Sequence, residues 1–194
     1  MARPREFDSD QALERAMRIF WAHGYRATSV QDLMEAAGVQ KQSLYGAFGD
    51  KRSLFLKCLR LYTQQTLLQV ARMLNATTSP MKGIERVMQY ASRRPEAKSG
   101  PVGCLMANTA LEMGARDPEV LSEVRRMFRG FEKLFASAVR RAQEHGEIGT
   151  SLDSVAVAQS LTNTINGIRI LEKTGASQQQ IQTVVEMALD ILRR

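Results

Sequence analysis

TSVQDLMEAAGVQKQSLYGAFGDKRSLF, residues 28–55, is the stretch that decides the fold of this 194-residue chain. Ser29 can cap a short helix, and Asp32 can reach back three positions later as in a capping box. Apolar residues then recur at helical spacing until Gly38, which stands where a helix end favours positive φ. A second short helix follows at about residues 40–48. The pattern predicts two helices joined by a tight turn, a helix-turn-helix.

The second of these helices has one apolar and one polar face. Burying Leu44 and Phe48 points the polar side chains outward. A helix this short has little stability of its own, so its neighbours must hold it. One common use of this arrangement is to place the outer face in the major groove of DNA. With two arginines of the N-terminal arm, the candidate DNA-contacting residues are Arg3, Arg5, Ser29, Gln40, Lys41, Gln42, Ser43, Tyr45, Gly46 and Lys51.

Several of these residue types suit particular parts of a duplex. Gln42 can pair bidentately with adenine, and Lys41 can reach guanine or a phosphate. The Tyr45 hydroxyl suits a phosphate oxygen. Lys51 falls in the first turn of the next helix, where backbone N–H groups also favour phosphate. The arginine arm can add phosphate or minor-groove contacts. The alternative is a solvated polar face on a small helical domain.

The charge balance favours a polyanionic partner. The chain has 27 Lys and Arg against 20 Asp and Glu, a formal charge of +7. The excess is spread along the chain, but residues 39–60 hold five basic residues against one acidic residue. This local concentration suits nucleic acid without proving it.

Composition points to an ordinary globular protein of the cytoplasm. Hydrophobic residues make up 44% and charged residues 24% of the chain. No apolar run is long enough for a membrane span, and the polar start carries no signal-peptide pattern. Two cysteines, Cys58 and Cys104, make no disulfide framework. We therefore expect a soluble, cytoplasmic protein without a membrane partner.

Helical periodicity dominates the whole chain, which predicts an all-α fold of about nine helices. The first helix should stop at Gly24, and a long helix should run from residues 50–51 to about Leu74. We place a domain boundary inside that long helix. Residues 1–55 then form a three-helix DNA-binding domain with the helix-turn-helix, and residues 56–194 form a larger helical domain.

The N-terminal pattern resembles a known family. A-T-S-V-Q-D-L, then A-G-V, then S-L-Y-G-A-F-G-D-K-R-S-L-F is similar to the N-terminal domain of the TetR family of bacterial transcriptional regulators, over about residues 7–59. The L-Y-x-x-F-x-x-K run is more specific than a generic helix-turn-helix. The chain departs from the commonest family pattern at Gln40, Gln42 and the pair Gly46–Ala47. These differences lie mostly on the outer face, so they leave the operator sequence open.

The resemblance implies a homodimeric repressor that binds a roughly palindromic operator in double-stranded DNA. It also implies that residues 56–194 form a ligand-binding and dimerisation domain, with activation a less common mode than repression. A small-molecule effector would move the two reading heads apart. Such an effector lowers DNA affinity only by binding the two conformations differently. The resemblance implies no cofactor.

The last two predicted helices carry more apolar residues than a surface helix needs. The final helix adds Met187 and Ile191 beside its main apolar row, and the helix before it has small Ala158 and Gly167, which permit close contact. A four-helix bundle across a twofold axis would bury both helices; the alternative is an internal core. The candidate dimerisation residues are Leu161, Ile165, Ile168, Ile181, Val184, Val185, Ala188, Leu189 and Leu192.

The effector site is harder to predict. Methionine and aromatic residues between the long helices can line an adaptable cavity, although at helical spacing they are more often core. Asn108 and Glu112, one turn apart, can orient a polar group or can be solvated. The candidates are Met88, Tyr90, Cys104, Met106, Asn108, Glu112, Met113 and Phe128.

Three other functions compete with that of an effector-released repressor. Cys104 follows a glycine-containing loop near a helix start, where a thiol can sense oxidants or electrophiles; the alternative is an inert apolar residue. An enzyme is the rival class, but His23 and His145 have no partners at triad or metal-ligand spacing, so we expect no catalytic or metal site. A non-specific DNA-binding protein needs no large apolar second domain.

Overall fold

The computed structural model describes residues 8–93, 103–114 and 116–193, which form nine α-helices and no strand. In chain order these are α1 Ser9–Ala27, α2 Val30–Ala37, α3 Lys41–Phe48, α4 Lys51–Leu74, α5 Pro80–Ser92, α6 Leu105–Met113, α7 Pro118–Glu144, α8 Ser154–Lys173 and α9 Gln178–Arg193. The prediction of an all-α chain of about nine helices is confirmed. The predicted arm residues Arg3 and Arg5 lie outside the described residues.

The local signals around α2 act as predicted. The Ser29 hydroxyl accepts a hydrogen bond from the backbone N–H of Asp32 at 3.1 Å, and the Asp32 carboxylate accepts one from the N–H of Ser29 at 2.7 Å. Gly38 has φ 70° and bonds back to the carbonyl of Met34 at 2.9 Å. The capping box and the left-handed helix end fix where α2 starts and stops.

The first helix has a kink at Gly24, where the sequence predicts that it stops, and this kink matters for the site. Gly24 leaves helical geometry at φ 82° and ψ 173°, yet α1 continues to Ala27. The Thr28 hydroxyl donates to the carbonyl of Gly24 at 2.6 Å and closes this end. The backbone N–H groups after Gly24 therefore face a neighbouring element instead of the preceding helical turn.

The N-terminal helices pack around aromatic side chains. Phe20 and Phe55 are buried with ring centroids 4.9 Å apart, edge to face. Leu33 and Leu44 are fully buried beside them in the core. Edge-to-face aromatic pairs add about 0.5–1.5 kcal/mol beyond the burial of their area. This core holds α1, α2 and α3 as one reading head.

The long helix α4 begins in the reading head and ends among helices α5 to α9, which together form the body of the molecule. Asp50 caps it by accepting from the N–H of Ser53 at 2.7 Å. Phe55 on its second turn packs in the head, whereas Leu74 at its end is buried in the body against α5. Body helices α5, α7, α8 and α9 pack on one another. Because α4 has no break, the predicted boundary at residues 55–56 stays a proposal.

Candidate nucleic-acid interface and ligand cavity

The recognition helix α3 is anchored by its inner face. Leu44 is fully buried and Phe48 is 6% exposed, as the sequence predicts. At the far end, Lys57 donates to the carbonyl of Ala47 at 3.2 Å and lies over the Phe48 ring at 5.4 Å. A lysine at a helix C-terminus satisfies an open carbonyl and the helix dipole. Lys57 therefore stabilises the end of α3, a role that the sequence pattern does not predict.

The outer face of α3 is polar and open. Tyr45 is half-buried, and the Lys41 ammonium lies 5.8 Å from the centre of its ring. A Cβ added at Gly46 would meet nothing within 4 Å, so among the described residues none packs against this position. The exposed residues on and beside this face are Gln40, Lys41, Gln42, Ser43 and Gly46.

Two of the predicted DNA-contacting residues, Lys51 and Ser29, already interact with other residues of the protein. The Lys51 ammonium lies 4.6 Å from the centre of the Tyr25 ring, a cation–π contact that holds it against the end of α1. Ser29 stays exposed but serves the capping box. The N–H of Ser29 holds the pKa of Asp32 below its ordinary value. Asp50 occupies one N–H of the α4 start, so the Lys51 side chain is the stronger candidate there.

A carboxylate of the body accepts two hydrogen bonds from the reading head. Glu112, near the end of α6, accepts from the backbone N–H of Tyr25 at 2.9 Å and of Arg26 at 2.7 Å. A Cβ at Gly24 would lie 2.7 Å from the same carboxylate, so the glycine permits this approach. The sequence suggests Glu112 as a ligand contact; the structure places it at the joint between head and body.

An ion-pair ladder forms a second joint. Arg52 binds Asp117, the cap of α7, through two hydrogen bonds of 2.8 and 2.9 Å. Two turns along α4, Arg60 binds Glu123 of α7 at 2.7 Å, and Glu119 lies between them, 3.0 Å from Arg52 and 3.3 Å from Arg60. The Arg52 guanidinium holds the pKa of Asp117 at about 2.

A cavity lies in the body between α4, α5, α7 and α8. The cavity is partly open to solvent. It is lined by Tyr62, Thr66, Gln69, Val70, Met73, Val87, Tyr90, Ala91, Cys104, Met127, Phe131, Ile165, Asn166 and Arg169. A concave, mostly apolar space with a few polar groups is the usual form of a small-molecule site.

Of the predicted effector residues, Tyr90 and Cys104 line this cavity. The others lie outside the lining: Met88, Met106, Asn108, Glu112, Met113 and Phe128. Met88 and Met106 are fully buried in the core, which is the more common place for methionine at helical spacing. The cavity lies further towards α8 than the sequence pattern suggests.

Two aromatic side chains and one thiol lie in contact at the inner end of the cavity. The Tyr62 hydroxyl donates to Cys104 Sγ at 3.6 Å, and Trp21 of the head packs edge to face on Tyr62 at 5.0 Å between ring centres. Burial raises the pKa of Tyr62 well above its ordinary value. Burial also raises the pKa of Cys58, which lies in the core outside this lining.

The last two helices carry two apolar rows, and only one faces outward. Seven of the nine predicted dimerisation side chains are buried inside the protomer, and their place at a subunit interface stays a prediction; they are Leu161, Ile165, Ile168, Ile181, Val185, Leu189 and Leu192. Val184 is exposed and Ala188 half-buried. The adjacent row of α9 is open, with Met187 60% and Ile191 53% exposed. The regular stripe therefore makes the core, and the extra apolar residues make the free face.

Other chemistry finds little support in the described ranges. Across residues 8–93, 103–114 and 116–193, no three His, Cys, Asp or Glu side chains are grouped to hold a metal ion. Within the same ranges, no helix combines the length and apolarity that crossing a membrane requires.

The fold and the open face of α3 define a helix-turn-helix DNA-binding protein with a helical, cavity-bearing body. Residues 12–58 match the model of bacterial regulatory proteins of the tetR family, and residues 80–188 match the tetracyclin repressor-like C-terminal domain. The HTH-type transcriptional regulator YezE of Bacillus subtilis is 32% identical, covering 99% of this chain and 100% of YezE. The repressor ComR of Escherichia coli is 28% identical, covering 96% and 90%.

Solved structures agree. A cysteine mutant of the TetR family regulator CifR, complexed with 26-base-pair operator DNA, superposes with a TM-score of 0.87 at 29% identity, covering 98% of this chain and 100% of that one. The chain belongs to the TetR family of bacterial transcriptional regulators. The resemblance seen in the sequence is confirmed, since YezE, ComR and CifR are all transcriptional regulators.

Proposed function

We propose that the chain is a homodimeric repressor that binds a palindromic operator through α3 and leaves it when a small molecule occupies the cavity. The predicted DNA-contacting residues of α3, with Lys51, are the proposed reading set. In this proposal, residues 1–55 form the DNA-binding domain and residues 56–194 the ligand-binding and dimerisation domain. The protein binds double-stranded DNA in the cytoplasm and catalyses no reaction.

One observation carries the proposal: α6 touches the cavity at one end and the reading head at the other. Cys104, at the start of α6, lines the cavity, and Glu112, eight residues later, holds the end of α1. Eight residues of helix span about 12 Å. A ligand that displaces the Cys104 end therefore displaces the grip on Tyr25 and Arg26, and with it the angle of the head.

The exposed row of α9 supports the homodimer. Val184, Met187 and Ile191 lie along one side of the helix and form an apolar surface in the isolated protomer. Such a surface suits a twofold contact in which each copy covers the other. Dimerisation sets two copies of α3 at a fixed spacing, which a palindromic operator matches.

A thiol-responsive regulator is a second candidate, and the Tyr62–Cys104 contact favours it. Alkylation of Cys104 by iodoacetamide, with loss of iodide, would fill the cavity end and break the 3.6 Å contact. Mass spectrometry after brief treatment should show the adduct on Cys104, which lines the cavity, and not on Cys58, which is fully buried in the core. Operator affinity should fall in wild type but not in Cys104→Ser. Modification without any change in affinity would leave only the reversible-ligand mechanism.

A titration of the protein on its own promoter tests the proposed function. Specific regulators bind their sites roughly 10³–10⁷-fold more tightly than random DNA at physiological salt. We expect a ratio within this range, measured by gel shift on the promoter fragment and on a scrambled fragment of equal length. Equal affinities would reduce the protein to a non-specific DNA-binding one.

A further inference from the structure

A charged cleft on the surface adjoins the cavity. The cleft lies on α4 and α5 and is lined by Met73, Lys82, Glu85, Arg86, Gln89, Tyr90 and Arg93. Met73 and Tyr90 also line the cavity, so these two side chains stand between the two spaces. Tyr90 is 43% exposed although its ring borders an apolar space. The cleft therefore adjoins the cavity at Met73 and Tyr90, and we call it the mouth.

The mouth is electropositive. Lys82, Arg86 and Arg93 contribute three positive charges against the single carboxylate of Glu85. That carboxylate is bound by Arg193 of α9 at 2.7 Å, which neutralises it. A cleft lined by one sign of charge concentrates ions of the opposite sign and raises their association rate. Anionic small molecules are thus drawn to this opening.

The cavity beside the mouth is mostly apolar, with Thr66, Gln69 and Asn166 among its polar lining residues. Val70, Val87, Phe131 and Ile165 contribute apolar side chains to its wall. Tyr62, at the inner end, precedes Met73 by eleven residues on α4, which is about 16 Å of helix. An extended hydrocarbon tail matches this shape better than a compact polar molecule does.

A cationic side chain lies inside the cavity. Arg169 of α8 lines the cavity, and its Nη1 binds the two carboxylate oxygens of Glu172 at 2.7 and 2.9 Å. The Glu172 side chain is 1% exposed and stands outside the lining, so the cavity meets the guanidinium and not the carboxylate. A guanidinium has N–H groups on three nitrogens, so Nε and Nη2 can serve another oxygen acceptor.

We infer that the effector is an amphipathic monoanion, a carboxylate with an apolar tail, which enters between Lys82 and Arg86, passes Met73 and Tyr90, and binds its carboxylate at Arg169. The inference rests on the proposed function, because it takes the cavity to be the effector site. The basic mouth selects the charge, the apolar walls select the tail, and the half-buried guanidinium of Arg169 fixes the orientation.

Three probes with the same tail test this assignment on the full chain: octanoate, octanamide and octylamine. One charge-assisted hydrogen bond is enough for about a tenfold difference in Kd, so calorimetry should show octanoate binding at least about tenfold more tightly than octanamide, and octylamine binding weakest. In stopped-flow measurements, Lys82→Gln with Arg86→Gln should lower the association rate about threefold or more at low salt and leave dissociation unchanged. Lys133→Gln removes an exposed charge outside the mouth and should change neither rate.

A double variant tests the inner site. Arg169→Gln alone leaves Glu172 buried without its partner and can unfold the protein. Arg169→Gln with Glu172→Gln keeps the pair neutral, and a thermal melt checks its fold. It should bind octanoate and octanamide with equal affinity. Preference of the wild type for octanamide or octylamine, or no binding of octanoate up to its solubility limit, would overturn the inference.

The same samples separate this inference from the proposed function. If the promoter is bound specifically but octanoate neither binds nor releases it, the carboxylate assignment fails and the repressor remains. If the promoter is not bound specifically, the proposed function fails whatever binds in the cavity.

Discussion

The Glu112 carboxylate and the backbone N–H of Arg26, 86 residues apart in the chain, are joined by a hydrogen bond of 2.7 Å. The bond exists because Gly24 breaks the helical geometry of α1 and frees the N–H groups that follow it. Since Cys104, directly before α6, lines the cavity, helix α6 connects the cavity to the reading head through this bond.

Removing this grip should loosen the end of α1. Hydrogen bonds to a charged group contribute roughly 1.5–3 kcal/mol, so Glu112→Ala should lower the free energy of unfolding by about that amount. Hydrogen exchange should show faster exchange at Tyr25 and Arg26. Glu35→Ala removes an exposed carboxylate bound only to the Gln31 side chain within the described residues, and serves as the control. Unchanged exchange in Glu112→Ala would mean that the head is held elsewhere.

The pairing of Arg52 with Asp117 should make stability depend on pH. The folded-state pKa of Asp117 is about 2 against an ordinary 3.8, so its stabilisation is present above about pH 4 and is lost as pH falls towards 2. Asp117→Asn keeps the cap of α7 and removes the charge. Its melting temperature should fall less than that of wild type between pH 4 and 2.

The cost of that change at neutral pH should be modest. Because Arg52 is partly exposed, solvent screens the pair, and Asp117→Asn should cost roughly 1 kcal/mol. Asp153 caps α8 in a similar way and gives the matched control, Asp153→Asn. An identical acid dependence in wild type and Asp117→Asn would show that other carboxylates set it.

The open row of α9 should control assembly. Met187→Lys with Ile191→Lys places two charges on an exposed apolar face, so the protomer should fold normally but sediment as a monomer. Leu68→Lys, at another exposed apolar position on α4, should remain dimeric. Leu189→Lys should unfold the chain, because Leu189 is 3% exposed. A dimeric Met187→Lys/Ile191→Lys protein would move the interface away from α9.

Substitutions on and beside the outer face of α3 should have two different effects on DNA binding, one on sequence preference and one on affinity for every sequence. Gln42→Ala should lose roughly 1–3 kcal/mol of discrimination at one base pair. Tyr45→Phe should weaken binding to every sequence alike. Lys51→Ala should do the same and should reduce the salt slope by about one unit. Fluorescence anisotropy on the promoter and its point variants measures both effects, and unaltered affinity in all three would exclude α3 as the reading helix.

Local signals made the head predictable from sequence. Ser29, Asp32 and Gly38 determine the helix-turn-helix through bonds within a few residues, so their types and spacing are informative. Glu112 could not be placed in this way, because its partners are backbone N–H groups of a distant helix, which leave no residue-type signal.

The sequence predicts the helices of the body but not which helix faces are buried or where the cavity lies. In α9, Val185 and Leu189 are four residues apart, and so are Met187 and Ile191 two positions further along, so periodicity alone does not say which pair faces the core. Packing on α5 and α8 decides it. The cavity likewise depends on how four helices meet, so Arg169 carried no signal of its own in the sequence.

Selection from a pool of random-sequence DNA would decide whether the protein is a dimer that reads sequence through α3. Wild type should enrich one inverted repeat, and Gln42→Ala should enrich a repeat altered at symmetric positions in both halves. A wild-type protein that enriches no sequence, or a single unpaired half-site, would rule out a dimeric reader of a palindromic operator.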